Sequence, residues 1–113
     1  MPMPQGFKDR LYPHLDAIAA HYGTPFHIYD EAGIRATGRQ LKAAFADIPG
    51  FREFYAVKAL PNPAILAIMR DLGFGFDCSS ETELLLARSL GARGEEIMFT
   101  SNNTSPADFA AAA

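Results

Sequence analysis

The sequence FYAVKALPNP at residues 54–63 decides the fold, because an apolar, strand-like run ends here in one lysine and is followed by two prolines. On the alternation of a strand, Lys58 shares one face with Phe54 and Ala56. Burial of a lysine favours its neutral, nucleophilic amine, so Lys58 is a candidate nucleophile or Schiff-base residue. The alternative is a lysine that extends from the strand end and keeps its charge in water.

Helix and strand patterns alternate on both sides of this run. The spacing of apolar residues, prolines and glycines predicts helices over 32–47, 63–72 and 80–90 and from Ser105 onward, and strands over 51–59, 75–78 and 97–101. Short connections between alternating elements indicate an α/β protein with a parallel sheet. The pattern fits both the first part of a barrel and a doubly wound sheet.

The residues before this pattern form two further segments. Residues 1–24 are predicted to be an N-terminal helical segment, since apolar side chains recur at helical spacing. Residues 25–31 begin with β-forming side chains and are predicted to be a strand. His14 and His21 could share a helix face, but they lack a carboxylate or cysteine partner, so no metal site is predicted.

Composition limits the partners and the compartment. The chain has 113 residues and a net charge of -3, which argues against nucleic acid or an anionic membrane as a partner. No apolar run approaches the roughly 20 residues of a membrane span. The only cysteine, Cys78, has no partner for an internal disulfide, which fits a reducing compartment. We therefore expect a soluble, cytoplasmic protein.

Three blocks of sequence carry a family resemblance: YAVKA at 55–59, GFGFDCSS at 73–80 followed by Glu83, and GTPFHIYDE at 23–31. In their order along the chain they resemble the fold-type III pyridoxal-phosphate decarboxylases, the group that contains diaminopimelate and ornithine decarboxylases, and the upstream block at 23–31 is similar to the diaminopimelate branch. The resemblance implies that residues 32–113 are the first part of a pyridoxal-phosphate-binding (β/α)8 TIM barrel of the alanine racemase-like fold.

The same resemblance implies that the chain is a truncated, N-terminal fragment. A complete barrel needs about 250 residues, and residues 25–31 are expected to pair with a C-terminal β domain that this sequence does not contain. The phosphate-binding loop, the group at the pyridine nitrogen and the second-domain residues are also missing from it. We expect the 113 residues alone to be inactive and the full-length protein to be a homodimer.

The candidate site residues follow from the strand ends, where barrel active sites lie. The resemblance implies that Lys58 is the Schiff-base lysine for pyridoxal phosphate and that Ala56 contacts the cofactor. Asp77 shares a strand face with Gly75 and is expected to pair with Lys58 across neighbouring strands. The small size of Gly75 could serve either the cofactor or packing, and the sequence leaves that choice open.

Two other residues have a structural interpretation beside a functional one. Glu83 ends the sequence SETE at 80–83, a capping box, yet in the ornithine branch a glutamate in this place lies by the active site. Cys78 is interpreted as a small buried hydrophobic residue, because the functional cysteine of the family belongs to the late β domain. One departure from the family is the sequence NNTS at 102–105, where these decarboxylases often carry lysine.

The resemblance implies the decarboxylation of an amino acid with pyridoxal phosphate as the cofactor. The first expectation is the conversion of meso-diaminopimelate to L-lysine in lysine biosynthesis. The alternatives are a decarboxylase of ornithine, arginine or another basic amino acid, or an alanine racemase. A further alternative, from a different class, is a non-catalytic protein that carries pyridoxal phosphate.

Overall fold

The structure, a computed structural model, describes residues 3–112. The α-helices are α1 (Gln5–Leu11), α2 (Leu15–Tyr22), α3 (Glu31–Ala44), α4 (Pro63–Asp71), α5 (Glu81–Ser89) and α6 (Pro106–Ala112). The strands are β1 (Phe54–Ala56), β2 (Gly75–Cys78) and β3 (Ile97–Phe99), and short 3-10 turns occur at Tyr12–His14, Val57–Ala59 and Gly94–Glu96. Across this range, none of the helices has the length and apolar character needed to cross a membrane.

The three strands form one parallel sheet with β2 at its centre. Tyr55 of β1 is in register with Phe76 of β2, and Phe76 is in register with Ile97 of β3. Helices α4 and α5 connect successive strands, as a parallel arrangement requires. The α/β class with a parallel sheet, predicted from the alternation of elements, is confirmed.

One face of the sheet carries the hydrophobic core. Phe76 and Cys78 of β2 point to this face and are 1% and 0% exposed, respectively. They cluster with Leu66 of α4 and with Leu84 and Ala87 of α5, all of them buried. Because side chains alternate along a strand, the other face of β2 belongs to Gly75 and Asp77. The candidate site residue Asp77 therefore lies on the face opposite the helices.

The strand predicted over 51–59 is shorter in the structure. Only Phe54–Ala56 pairs with β2, and Val57–Ala59 forms a 3-10 turn. The chain approaches Pro61 and Pro63 directly after this turn, and neither proline has an amide hydrogen for a strand ladder. The alternation used to place Lys58 beside Phe54 and Ala56 therefore ends at Ala56, and that part of the prediction is wrong.

The helix after this turn begins as its sequence predicts. Oδ1 of Asn62 accepts hydrogen bonds from the amides of Ala64 at 2.9 Å and Ile65 at 3.4 Å. Pro63 occupies the first turn, where a missing amide hydrogen costs nothing. The cap fixes where α4 begins, and with it the length of the connection that follows Lys58.

The chain divides into two compact units, residues 1–37 and 38–113. In the first unit, Nη2 of Arg10 donates to both carboxylate oxygens of Asp30 at 2.6 Å. This hydrogen bond holds the pKa of Asp30 below its ordinary value. Residues 25–30 lie outside the helices and strands of residues 3–112, and Glu31 already belongs to α3. The strand predicted over 25–31 is not formed here, since strands require a pairing partner; its pairing with a β domain stays a prediction.

Gly75 lies at a point of close approach in the second unit. A Cβ atom at this position would lie 2.6 Å from Cδ1 and Cε1 of Phe54 and 2.8 Å from the carbonyl oxygen of Glu96. The Phe54 ring thus occupies the space that a side chain would need. The question left open by the sequence is answered in favour of packing: the absence of a side chain at Gly75 accommodates Phe54.

The substitution Gly75→Ala is expected to lower the free energy of unfolding by roughly 1–3 kcal/mol, because the Glu96 backbone cannot move away as a flexible side chain can. Urea denaturation followed by circular dichroism measures the change. Gly6→Ala is the control, since a Cβ atom there would meet only Nη1 of Arg10 at 3.7 Å. Equal stability of Gly75→Ala and the wild type would contradict the packing role.

Candidate active site

The candidate site lies on the sheet face that is turned away from the helices, at the carboxyl ends of the strands. Ala56 of β1, Asp77 of β2 and Met98 of β3 are in register with one another. Since adjacent strands lie about 4.8 Å apart, Asp77 has Ala56 on one side and Met98 on the other. The register therefore places a carboxylate between a small and a flexible apolar side chain.

Lys58 follows this row at the end of β1. It is the middle residue of the turn Val57–Ala59, and its side chain is exposed. The burial expected for Lys58 is not found, and the exposed position agrees with the alternative of a lysine that extends from a strand end. Val57, the residue before it, is completely buried in the core, so the backbone that carries Lys58 is anchored.

Asp77 has an unsatisfied oxygen. Its side chain is half-buried, and Oδ1 is buried without a hydrogen-bond partner among residues 3–112. Leaving a buried polar atom unpaired costs about 1–3 kcal/mol, and more for a charged group. The predicted ion pair with Lys58 is not formed at this oxygen. Oδ1 of Asp77 is therefore an acceptor that a cationic or hydrogen-bonding group can satisfy.

Glu83 forms the cap that its sequence predicts, in a modified version. The amide of Glu83 donates to Oγ of Ser80 at 3.3 Å, and Oγ of Ser80 donates to Oε1 of Glu83 at 3.2 Å. Oε2 of Glu83 accepts a hydrogen bond from the amide of Ser79 at 2.8 Å, one residue before the N-cap. Glu83 therefore connects α5 to the turn that leaves β2, and a role at the active site stays a prediction.

Cys78 points away from the candidate site. Its thiol is completely buried in the core, and burial, followed by the nearby charges of Glu83 and Asp77, raises its pKa to about 11. The thiolate is the reactive form of cysteine, so this thiol is inert near neutral pH. The interpretation of Cys78 as a small buried hydrophobic residue agrees with this environment.

Met98 is the residue that sequence reasoning missed. It is 47% exposed on the same face as Asp77, although methionine is an apolar residue. Ile97 and Phe99 pack against the core, so strand alternation alone could have assigned Met98 to the opposite face. Thioether side chains adapt to irregular surfaces, and Met98 adds a flexible apolar wall beside Asp77.

Comparison with known proteins identifies the family. A family model described as the pyridoxal binding domain of pyridoxal-dependent decarboxylases matches residues 31–113. The chain belongs to this family. Its strands β1–β3 and all the candidate site residues lie inside the matched region. The family assignment inferred from the three sequence blocks is confirmed.

Two curated relatives illustrate the range of similarity. The chain is 54% identical over 109 residues to Protein TabA of Pseudomonas amygdali pv. tabaci, covering 96% of this chain and 26% of that protein. It is 39% identical over 99 residues to a diaminopimelate decarboxylase of Deinococcus radiodurans, covering 88% of this chain and 25% of that enzyme. The chain thus spans about a quarter of the length of the relatives that it matches.

Solved structures of related decarboxylases share the fold. A diaminopimelate decarboxylase from M. jannaschi superposes with a TM-score of 0.80 at 27% identity, covering 85% of this chain and 23% of that one. The lysine/ornithine decarboxylase of Vibrio vulnificus, complexed with cadaverine, gives a TM-score of 0.77 at 28% identity, covering 87% of this chain and 26% of that one. The barrel assignment is confirmed by these neighbours.

The described residues fit the cofactor of this family, pyridoxal phosphate. Lys58 offers a primary amine at the carboxyl end of β1, and the unpaired Oδ1 of Asp77 offers an acceptor for a cation near that end. Ala56 adds only a methyl group between the two strand ends. No three His, Cys, Asp or Glu side chains within residues 3–112 converge as the ligands of a metal ion would.

The thiol of Cys78 gives a prediction for alkaline pH. In the unfolded chain the thiol has its ordinary pKa of 9.0, whereas in the folded protein burial raises this pKa to about 11. The unfolded state therefore gains stability above pH 9, and the free energy of unfolding falls by about 2 kcal/mol between pH 9 and pH 11. Urea midpoints measured over this range test the effect.

The matched control for this prediction is Cys78→Ala, which removes the ionisable group and leaves the other titrating residues in place. The free energy of unfolding of the wild type minus that of the variant is expected to fall as pH rises from 9 to 11. A constant difference would show that Cys78 contributes nothing to the pH dependence.

Proposed function

We propose that this chain supplies the catalytic lysine and its neighbouring carboxylate to a pyridoxal-phosphate-dependent amino-acid decarboxylase. The substrate that we propose is meso-diaminopimelate, with L-lysine as the product. The observation that carries the proposal is the placement of an exposed amine, on Lys58, and an unsatisfied buried oxygen, on Asp77, at the same ends of adjacent parallel strands. Active sites of parallel barrels lie at these strand ends.

The chain's own residues take distinct roles in this proposal. Lys58 holds the cofactor through its Nζ atom, and its exposed position lets the amine reach both cofactor and substrate. Asp77 stabilises positive charge at that nitrogen through Oδ1. Ala56 leaves the neighbouring space free. When bound, the cofactor supplies an electron sink for the electron pair that remains after carbon dioxide leaves.

Support for diaminopimelate as the substrate comes from two directions. The block GTPFHIYDE at 23–31 is similar to the diaminopimelate branch, and the relative from Deinococcus radiodurans is a diaminopimelate decarboxylase. The match to lysine/ornithine decarboxylase favours a second candidate, a decarboxylase of lysine or ornithine. A homodimer and a cytoplasmic location of the complete gene product belong to the same proposal.

The first test is chemical labelling of Lys58 in the complete gene product. Incubation with pyridoxal phosphate and reduction with borohydride are expected to modify Lys58 and few other lysines, because this exposed amine follows the strand next to the one that carries the unsatisfied oxygen of Asp77. Peptide mass spectrometry locates the modification. Lys42 is an internal control, since its Nζ atom already donates to the carbonyl oxygen of Leu72 at 2.8 Å. Lys8, in α1, is a second control.

Uniform labelling of all lysines, or no labelling, would reject the cofactor role of Lys58. The variant Lys58→Arg keeps the positive charge and removes the primary amine. It is expected to lose the selective label and to reduce the rate of carbon dioxide release by at least about a thousandfold, as expected for loss of a covalent catalytic group.

The substrate is tested by carbon dioxide release from meso-diaminopimelate, lysine, ornithine and arginine at equal concentrations. We expect the highest kcat/KM for meso-diaminopimelate. A higher value for lysine or ornithine would select the second candidate, and release from none of them would reject the decarboxylase. The 113-residue chain alone is expected to release no carbon dioxide, because its sheet has three of a barrel's eight strands.

A further inference from the structure

The turn between β2 and α5 is fixed by one side chain. Both carboxylate oxygens of Glu83 are engaged, Oε2 by the amide of Ser79 at 2.8 Å and Oε1 by the hydroxyl of Ser80 at 3.2 Å. An ordinary capping box returns to the amide of the N-cap residue, which here is Ser80. Glu83 instead reaches one residue further back, into the turn that leaves the central strand.

This contact lies close to Asp77 along the chain. Asp77 is paired with Ala56 and Met98 in the sheet, and the carbonyl of Cys78 accepts a hydrogen bond from the amide of Thr100 at 2.8 Å. Ser79, the next residue, leaves the sheet and donates its amide hydrogen to Glu83. The contact between Ser79 and Glu83 is therefore the point at which the end of β2 is tied to α5.

The electrostatics agree with this arrangement. The charges of Glu83 and Asp77 both raise the pKa of the Cys78 thiol, so both carboxylates lie near the end of β2. A carboxylate that accepts an amide hydrogen bond near a helix N-terminus is stabilised there. Oδ1 of Asp77, by contrast, has no partner within residues 3–112 to hold it. The direction in which the Asp77 side chain points therefore depends on the position of its backbone.

We infer that Glu83 is a positioning residue, which holds the turn at Ser79 and Ser80 and thereby keeps Asp77 in its place at the end of β2, beside the strand that leads into Lys58. The inference rests on the proposed function for its catalytic consequence. It assigns to Glu83 a role through hydrogen bonds that the side chain accepts, and not through its negative charge at the cofactor. Glutamine can make the same contacts, because its carbonyl oxygen accepts from an amide and its NH2 group donates to a hydroxyl.

The variants Glu83→Gln and Glu83→Ala therefore separate the two roles. Glu83→Gln removes the charge and keeps the acceptor, whereas Glu83→Ala removes both. Glu81→Ala is the matched control: Glu81 is also an acidic residue of the first turn of α5, is exposed, and does not form the Ser79 contact. The Glu81→Ala variant shows the effect of losing one negative charge at the helix N-terminus without losing the Ser79 contact.

The first readout needs no cofactor. Hydrogen exchange of the Ser79 amide, measured in the complete gene product, is expected to accelerate about tenfold in Glu83→Ala, because a charge-assisted hydrogen bond is lost. In Glu83→Gln and Glu81→Ala the rate is expected to stay within about threefold of the wild type. Unchanged exchange in Glu83→Ala would overturn the inference.

The second readout is the rate of selective labelling of Lys58 by pyridoxal phosphate and borohydride, measured from pH 6 to pH 9. The positioning role predicts a rate about tenfold lower in Glu83→Ala, from the lost hydrogen bond, and a wild-type rate and pH profile in Glu83→Gln. A shifted pH profile in Glu83→Gln, similar to that of Glu83→Ala, would overturn the inference in favour of a direct effect of charge.

The two hypotheses fail in different ways. If the wild type shows no selective label at Lys58, the proposed function is rejected, and the catalytic part of the inference with it. If the wild type is labelled and Glu83→Ala is labelled equally fast, only the positioning role is rejected. If Glu83→Ala does not fold, Glu83→Gln still tests the inference, since a change in labelling after loss of the charge alone would overturn it.

Discussion

The alternation of side chains along β2 is the constraint on which the rest of the structure depends. Phe76 and Cys78 are buried beneath the helices, and this burial forces Asp77 to the opposite face. A shift of one residue in register would place a carboxylate in an apolar core, at a cost of several kcal/mol. Hydrophobic burial on one side of the strand thus determines the position of the charged group on the other.

The anchoring of Lys58 follows the same logic in a different local structure. The preceding residue, Val57, is completely buried, so the 3-10 turn is attached to the core while the lysine side chain remains in solvent. An attached backbone with a free side chain suits the role proposed for the Lys58 amine. Burial of the lysine itself, the arrangement first expected from the sequence, is not needed for this behaviour.

Much of this fold could be predicted from the sequence, since its signals are local. The Asn62 cap, the apolar face of α4 and the GFDC strand are each encoded within a few residues. The 3-10 turn at Lys58 could not be predicted, because a three-residue turn and a strand end have the same apolar composition. The unpaired oxygen of Asp77 and the contact from Glu83 to Ser79 depend on atomic positions across two elements, which no spacing rule contains.

The contact between Gly75 and Phe54 has a consequence for how sequences of this kind can diverge. The ring of Phe54 and the carbonyl of Glu96 occupy the same small volume beside Gly75. A smaller residue at position 54 would vacate only part of that volume, because the carbonyl belongs to the main chain. Positions 54 and 75 are therefore coupled in one direction only. Position 54 can accept smaller residues while position 75 keeps glycine. A larger residue at position 75, by contrast, requires the main chain before β3 to move as well.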